Sequence, residues 1–247
     1  MIDTHAHLDA LDDPDGAVGR AQEAGVTRIL TVGTTVDGCR AALELADRHD
    51  GVFAILGLHP HEAGTADEAA VVDVAALLAH PRAVAVGETG LDWFRDYAPP
   101  DRQRWLFEQM LGVAADSGKP VVVHTRAADE DTLAVLARFD GDVVLHCFSS
   151  SGLLPAALER GYYASFAGNV TYPKAPELRI AAAGIPADRI LAETDCPYLA
   201  PQPVRGRPNE PANVVHTLAV LAEVRGEEVA ALGARIDGNA TAVFGLP

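Results

Sequence analysis

The chain has 247 residues, 35 of them acidic and 19 basic, for a formal net charge of −16 at neutral pH. Its 49% hydrophobic and 22% charged content excludes a disordered or fibrous chain, and no apolar run reaches the ~18 residues of a membrane span. So acidic a protein cannot hold a polyanion on an overall basic surface, and any polyanionic partner requires a local positive centre.

Short β-rich apolar runs are predicted near residues 2–5, 28–33, 52–57, 82–88, 120–124, 142–146, 162–166 and 189–194. Between them lie segments with helical spacing, among them 41–48, 104–115 and 132–138. Gly25, Gly118, Gly161 and Gly184 each follow such a segment, where a helix end takes a residue tolerant of positive φ. Eight strands alternating with helices predict an α/β fold, a parallel (β/α)8 TIM barrel spanning residues 1–247 as a single domain. A doubly wound open sheet is the competitor, but it often opens with a glycine-rich phosphate loop, which the first turn here lacks. The Pro-rich stretch 197–211 follows the eighth run, where a barrel carries a long active-site loop.

The first run ends on His5 and His7, whose i, i+2 spacing lets both imidazoles reach one ion. Glu88 closes the fourth run, His124 the fifth, His146 the sixth and Asp195 the eighth. In a parallel barrel these strand ends share one rim, where catalytic groups gather. Taken singly, each residue has an ordinary explanation: a hydrogen-bonded core histidine, a helix-capping glutamate, a turn aspartate before Cys196-Pro197. Their joint placement is what points to a metal site.

Four imidazoles and two carboxylates exceed the needs of one zinc ion and suit two divalent ions bridged by a carboxylate. Glu88 is the expected bridge, with His5, His7 and Asp195 on one ion and His124 and His146 on the other. The ligand types favour zinc or manganese, with magnesium also admissible. His59 and His61 follow the third run and face the same rim, His59 as a hydrogen-bond donor to a substrate oxygen. The only lysines, Lys119 and Lys174, close no predicted strand, which argues against a carbamylated-lysine bridge. Cys39, Cys147 and Cys196 form no Cys-x-x-Cys pair and no basic-then-apolar leader opens the chain, so a reducing, cytoplasmic setting is expected.

Met1-Ile2-Asp3-Thr4-His5-Ala6-His7-Leu8-Asp9, Gly57-Leu58-His59-Pro60, Gly87-Glu88-Thr89-Gly90-Leu91-Asp92 and His124-Thr125-Arg126 occur in order. His146-Cys147-Phe148-Ser149, the run from Glu193 to Pro201 and Asn209-Glu210-Pro211 follow. From residue 1 to about 245 the chain resembles the TatD-type metal-dependent hydrolases, often described as TatD DNases, of the amidohydrolase-like barrel superfamily. The resemblance implies a (β/α)8 barrel, divalent-metal dependence and hydrolysis of DNA phosphodiesters, commonly from a 3′ end. It assigns metal binding to His5, His7, Glu88, His124, His146 and Asp195, and sets His59 and the loop from Arg205 to Glu210, Asn209 included, against the substrate; Tyr198 is a further candidate substrate contact. Ser150 stands where the family often has glycine, and Pro208 where it often has a basic residue.

The expected chemistry is attack by a metal-activated water, with Asp195 as ligand and proton acceptor and Glu88 fixing the ion separation. Arg126, Arg205 and Arg207 are candidate contacts to flanking phosphates. DNA or another nucleic acid is the expected substrate, and the sequence indicates no protein partner. The same centre acting on a lactone, an amide or an aminoacyl-tRNA ester is the first rival. A non-enzymatic barrel with structural metals ranks last, because structural zinc sites are closed by four protein ligands, usually including cysteine.

Overall fold

The computed structural model describes all 247 residues. Eight strands, β1 (Ile2–Ala6), β2 (Arg28–Gly33), β3 (Val52–Leu56), β4 (Ala83–Asp92), β5 (Val121–Arg126), β6 (Val143–Leu145), β7 (Tyr163–Phe166) and β8 (Ile190–Ala192), form one sheet in sequence order. The paired strands are parallel, and Ala6 bridges Cys196 just beyond β8 in the same sense. With helices between the strands this is the expected (β/α)8 TIM-barrel class. The helices are α1 (Pro14–Glu23), α2 (Val36–Arg48), α3 (Glu68–Leu77), α4 (Pro100–Ser117), α5 (Asp129–Leu136), α6 (Leu154–Arg160), α7 (Pro176–Gly184), α8 (Val214–Arg225) and α9 (Val229–Phe244). None is long and apolar enough to cross a membrane.

Contacts divide the chain into two compact units, Met1–Thr31 with His146–Pro247, and Val32–Leu145. In the first, Ile2 of β1, Phe166 of β7, Phe148, Leu221 of α8 and Ile236 of α9 are buried, and the Phe148 and Phe166 rings pack 5.4 Å apart. In the second, Val121, Val122 and Val123 of β5 are buried without alternation, as befits a strand covered on both faces. Leu106, Phe107 and Met110 of α4 are buried in the same unit.

Local chemistry sets the helix ends. Thr35 and Asp67 accept hydrogen bonds from Gly38 N and Ala70 N at the starts of α2 and α3, and Gly118 and Gly161 close α4 and α6 in the left-handed conformation. Gly184 departs from expectation. It is the last residue of α7, and the chain leaves through extended Ile185, which Pro186 holds out of the helical region.

Several strand ends also differ from the sequence expectation, among them β5, which runs past His124 to Arg126. β4 runs on past Glu88 to Asp92, whereas β6 stops at Leu145 and β8 at Ala192. His146 therefore lies just beyond its strand and Asp195 three residues beyond its own. Cys147 and Asp195 have φ of 44° and 54°, and this turn of the backbone redirects the chain at both places.

Candidate metal centre

In the first unit, β1 pairs with β2 as Asp3↔Ile29 and then Ala6↔Thr31, so β1 carries one extra residue across Thr4 and His5. The bulge re-aims His5, which is fully buried. Its ring stacks on His146 at a centroid distance of 3.9 Å and meets His7 edge-on at 5.1 Å. Asp195 Oδ1 lies 3.5 Å from His7 Nε2 and 3.9 Å from His5 Nε2. His5, His146 and Asp195 each offer one ligand atom, all within 4.8 Å of one another. Burial pushes the Asp195 carboxyl up, but the His7 hydrogen bond and the charges of His146 and His5 outweigh it, so the group stays below its ordinary value.

Two buried carboxylates that the sequence argument left without a role hold this cluster in place. Asp3 Oδ1 accepts from Thr194 N at 2.9 Å and from His5 N at 3.3 Å, and Oδ2 accepts from Thr194 Oγ1 at 2.5 Å. Together with Asp195 N→His5 O (2.9 Å) and His7 N→Cys196 O (2.8 Å), these bonds tie β1 to the segment bearing Asp195. Burial raises Asp3 to about 8, against the lowering effect of its Thr194 bonds. Glu193 Oε1 accepts from His146 Nδ1 at 3.2 Å and Cys147 N at 2.7 Å. A histidine that donates Nδ1–H to a carboxylate presents Nε2 as a lone pair, the form a metal requires.

In the second unit, β4 and β5 slip register between Gly87 and Thr89, leaving Glu88 as the extra residue. Two glycines permit this path. Gly87 and Gly90 have φ of 145° and 143°, and a Cβ on Gly90 would lie 1.9 Å from His124 O. Glu88 Oε1 lies 2.8 Å from His124 Nδ1 and 3.4 Å from His59 Nε2. These three residues form another group whose ligand atoms lie within 4.8 Å of one another.

His124 supplies the clearest test of fit to a metal. Its Nδ1 faces Glu88 while its Nε2 lies 3.3 Å from Asp92 Oδ2. With Nε2–H given to Asp92, a neutral ring turns its Nδ1 lone pair toward Glu88 Oε1. Either a second ring proton or a cation satisfies that lone pair. The donor chemistry of both clusters, imidazoles and carboxylates without lysine or arginine among them, fits a divalent ion.

His59 has a different part. Its Nδ1 accepts from His61 N at 3.2 Å, which places the ring proton on Nε2, facing Glu88. Burial lowers its pKa to about 4, opposed only in part by Glu88. His59 is thus a neutral ring whose Nε2–H faces Glu88.

Asp92, also without an assigned role in the sequence, is fully buried. Its Oδ2 accepts from His61 Nε2 at 2.8 Å and its Oδ1 from Phe94 N and Arg95 N at 2.9 Å each. Burial pushes this carboxyl up, but the bonds from His124, His61 and the Arg95 backbone prevail and hold it well below its ordinary range.

The expected substrate contacts are distributed unevenly. Tyr198 is 57% exposed and meets His7 edge-on at 5.8 Å. Arg205 lies 4.1 Å over the Tyr172 ring, and Arg207 is exposed. Arg126 is exposed and lies 3.9 Å over Phe94. Asn209 is held by the loop's own bonds. It is buried, its amide donates to Thr194 O and Tyr198 O, and its Oδ1 accepts from Glu210 N and Asn213 Nδ2. With donors and acceptor committed, it fixes the loop that carries Tyr198 and Glu210. Cys196 is fully buried, and Lys119 donates to Ala83 O at the start of β4, away from Glu88.

A family model described as TatD related DNase matches residues 2–245. A Mycobacterium tuberculosis protein named uncharacterized metal-dependent hydrolase TatD is 39% identical over 263 residues, covering 100% of this chain and 98% of that one. A Klebsiella pneumoniae protein named 3'-5' ssDNA/RNA exonuclease TatD is 36% identical, covering 95% and 92%. The crystal structure of YJJV, a TatD homologue from Escherichia coli K12, superposes with a TM-score of 0.94 at 31% identity, covering 100% and 98%.

Proposed function

The chain belongs to the TatD related DNase family of metal-dependent hydrolases, and from that premise we propose that it hydrolyses phosphodiester bonds in nucleic acid, DNA foremost, with two divalent ions. The observation that carries this reading is the gathering of ligand-type side chains, His5, His146 and Asp195 in one group and His59, Glu88 and His124 in another, each with ligand atoms within 4.8 Å of one another. His5, His7 and Asp195 would hold one ion and Glu88 and His124 the other; His146, expected beside His124, joins the first group, because its ring stacks on His5 and its ligand atom lies within 4.8 Å of those of His5 and Asp195. The imidazole content favours zinc or manganese. Bound divalent ions supply Lewis-acid activation of water and charge neutralisation at the phosphoryl oxygens.

The chain's own groups supply the rest. Asp195, held ionised, accepts the proton of the attacking water. His59, kept neutral with its proton on Nε2, donates a hydrogen bond to a phosphoryl oxygen without adding charge to the centre. Glu193 fixes the orientation of His146, and Asp3 fixes the backbone that carries Asp195. Arg126, Arg205, Arg207 and Tyr198 are placed in this proposal against the rest of the polymer. Residues 1–247 act as one hydrolase domain. A reducing, cytoplasmic setting belongs to the same reading.

The test is a substrate screen on one metal-reconstituted preparation: single-stranded and duplex DNA, aminoacyl-tRNA, a lactone and an amide. Cleavage of DNA that is lost in Asp195→Asn and His124→Ala supports the proposal. Turnover confined to a carbonyl ester or amide overturns it.

A further inference from the structure

The connection between β4 and α4 carries an aromatic and arginine cluster that the hydrolytic step leaves unused. Phe94 is 59% and Tyr97 62% exposed. The Arg126 guanidinium, from the end of β5, lies 3.9 Å over the Phe94 ring, and that of Arg95 lies 5.4 Å from Phe94 and 6.0 Å from Tyr97. Both guanidiniums face rings, not carboxylates, and against these two cations the exposed loop sets one acid, Asp96. Acids stand close by, Asp92 at the base of the loop and Asp129, Glu130 and Asp131 on the first turn of α5, with Asp131 accepting from Trp93 Nε1. What is offered to a polyanion is therefore the two guanidiniums over the rings and not a net positive field.

The cluster is also fixed to the chemistry. Asp92 accepts from Phe94 N and Arg95 N through one oxygen and faces His61 and His124 through the other. Tyr97 meets His61 edge-on at 4.7 Å. Gln103 of α4 braces the loop from within, accepting from Asp92 N at 2.9 Å and donating to Asp92 O and Ala98 O. Two solvent-facing rings on a braced loop, flanked by arginines, are the elements from which sequence-tolerant base stacking is built.

We propose that Phe94 and Tyr97, flanked by Arg95 and Arg126, form a stacking platform for unpaired bases that seats a single-stranded nucleic acid beside the His59–Glu88–His124 cluster. This deepens the phosphodiesterase reading and rests on it for the class of ligand. Only an unpaired base can lay its face on an exposed ring, because duplex bases already stack on each other. The platform therefore selects single strands and frayed ends over duplex, while Arg95 and Arg126 hold the backbone phosphates.

The probe is an eight-nucleotide single strand that carries 2-aminopurine and phosphorothioate linkages that resist cleavage, titrated into the metal-loaded protein. Stacking should quench the 2-aminopurine fluorescence. Phe94→Ala and Tyr97→Ala should each relieve the quenching and weaken binding by about five-fold or more, and both variants should melt like the parent because the rings are exposed. Arg126→Gln should shallow the slope of log affinity against log salt by roughly 0.7. Unquenched binding, equal affinity for the duplex, or unchanged affinity in both aromatic variants would overturn the platform. Wild-type cleavage of a small phosphodiester separates the two readings. If it occurs while stacking fails, only the platform falls; if quenching and selective binding occur without any phosphodiester cleavage, the platform stands and the hydrolase reading falls.

Discussion

Replacing Glu193 isolates what a buried carboxylate contributes to a metal centre it does not itself ligate. Glu193 Oε1 accepts from His146 Nδ1 at 3.2 Å and Cys147 N at 2.7 Å. Glu193→Gln keeps an acceptor oxygen with two lone pairs for both bonds, while the charge is lost and an amide NH2 takes the place of Oε2, which is buried without a hydrogen-bond partner. Glu193→Ala removes both bonds and leaves Cys147 N–H unsatisfied. Loss of such support costs about 10- to 100-fold in metal affinity, with Gln expected near the lower figure and Ala near the upper. At a metal concentration about 100 times the parental Kd, binding adds ~2.7 kcal/mol to the parent, ~1.4 to the Gln variant and ~0.4 to the Ala variant. For a chain of this size each kcal/mol moves Tm by roughly 2–4 °C, so the metal-induced Tm rise should halve in Gln and nearly vanish in Ala. Thermal scans across a Mn²⁺ or Zn²⁺ titration measure this directly. An Ala variant with the parental metal-induced shift would refute the link from Glu193 through His146 to the ion.

Chelation of the purified protein should lower Tm and abolish hydrolysis, with both restored by Mn²⁺ or Zn²⁺; full activity after verified metal removal would count against the centre. Gly90→Ala sets a Cβ 1.9 Å from His124 O at φ 143°, which should cost about 3 kcal/mol or more and lower Tm by roughly 6–12 °C. Parental thermal stability in that variant would contradict the close approach. Glu227 receives the guanidiniums of Arg225 and Arg235, whose bonds hold its carboxyl below the ordinary value against a raising effect of burial. Because the folded pKa is depressed, its stabilisation is present above the unfolded value of about 4.3 and is lost as pH falls through the folded one. Glu227→Gln should therefore lower Tm at pH 7 by at most a few degrees, with the difference closing toward pH 3; a gap that widens in acid would reverse the assignment.

The strand order was legible because buried parallel strands are written as unbroken apolar runs, as in Val121-Val122-Val123. The ends were not. Thr89 and Gly90 lack the apolar character of a strand, yet they continue β4 because they pair with Val123 and His124 of β5. Glu193 and Thr194 look like the end of β8, but the Asp3 carboxylate takes Thr194 N, and the backbone turns away to deliver Asp195. In both cases a contact from another strand overrode the local pattern.

The ligand-type residues were legible for a related reason. Histidines and acids at the ends of apolar strands are costly unless something compensates them, so their recurrence signals a shared task. Asp3, Asp92 and Glu193 obey the same rule and escaped notice only because their compensation is internal. Asp3 is committed to Thr194 and His5, Asp92 to His61 and His124, and Glu193 to His146 and Cys147. A sequence signal was present nonetheless: Asp3 precedes His5 by two residues, Glu193 precedes Asp195 by two, and Asp92 follows Glu88 by four. Even spacing near a strand end directs side chains to one side, though the bulges at Thr4–His5 and Glu88 break strict alternation. An acid at such a spacing from a ligand is thus a candidate support, and the bulge decides whether it reaches the ion or the histidine behind it.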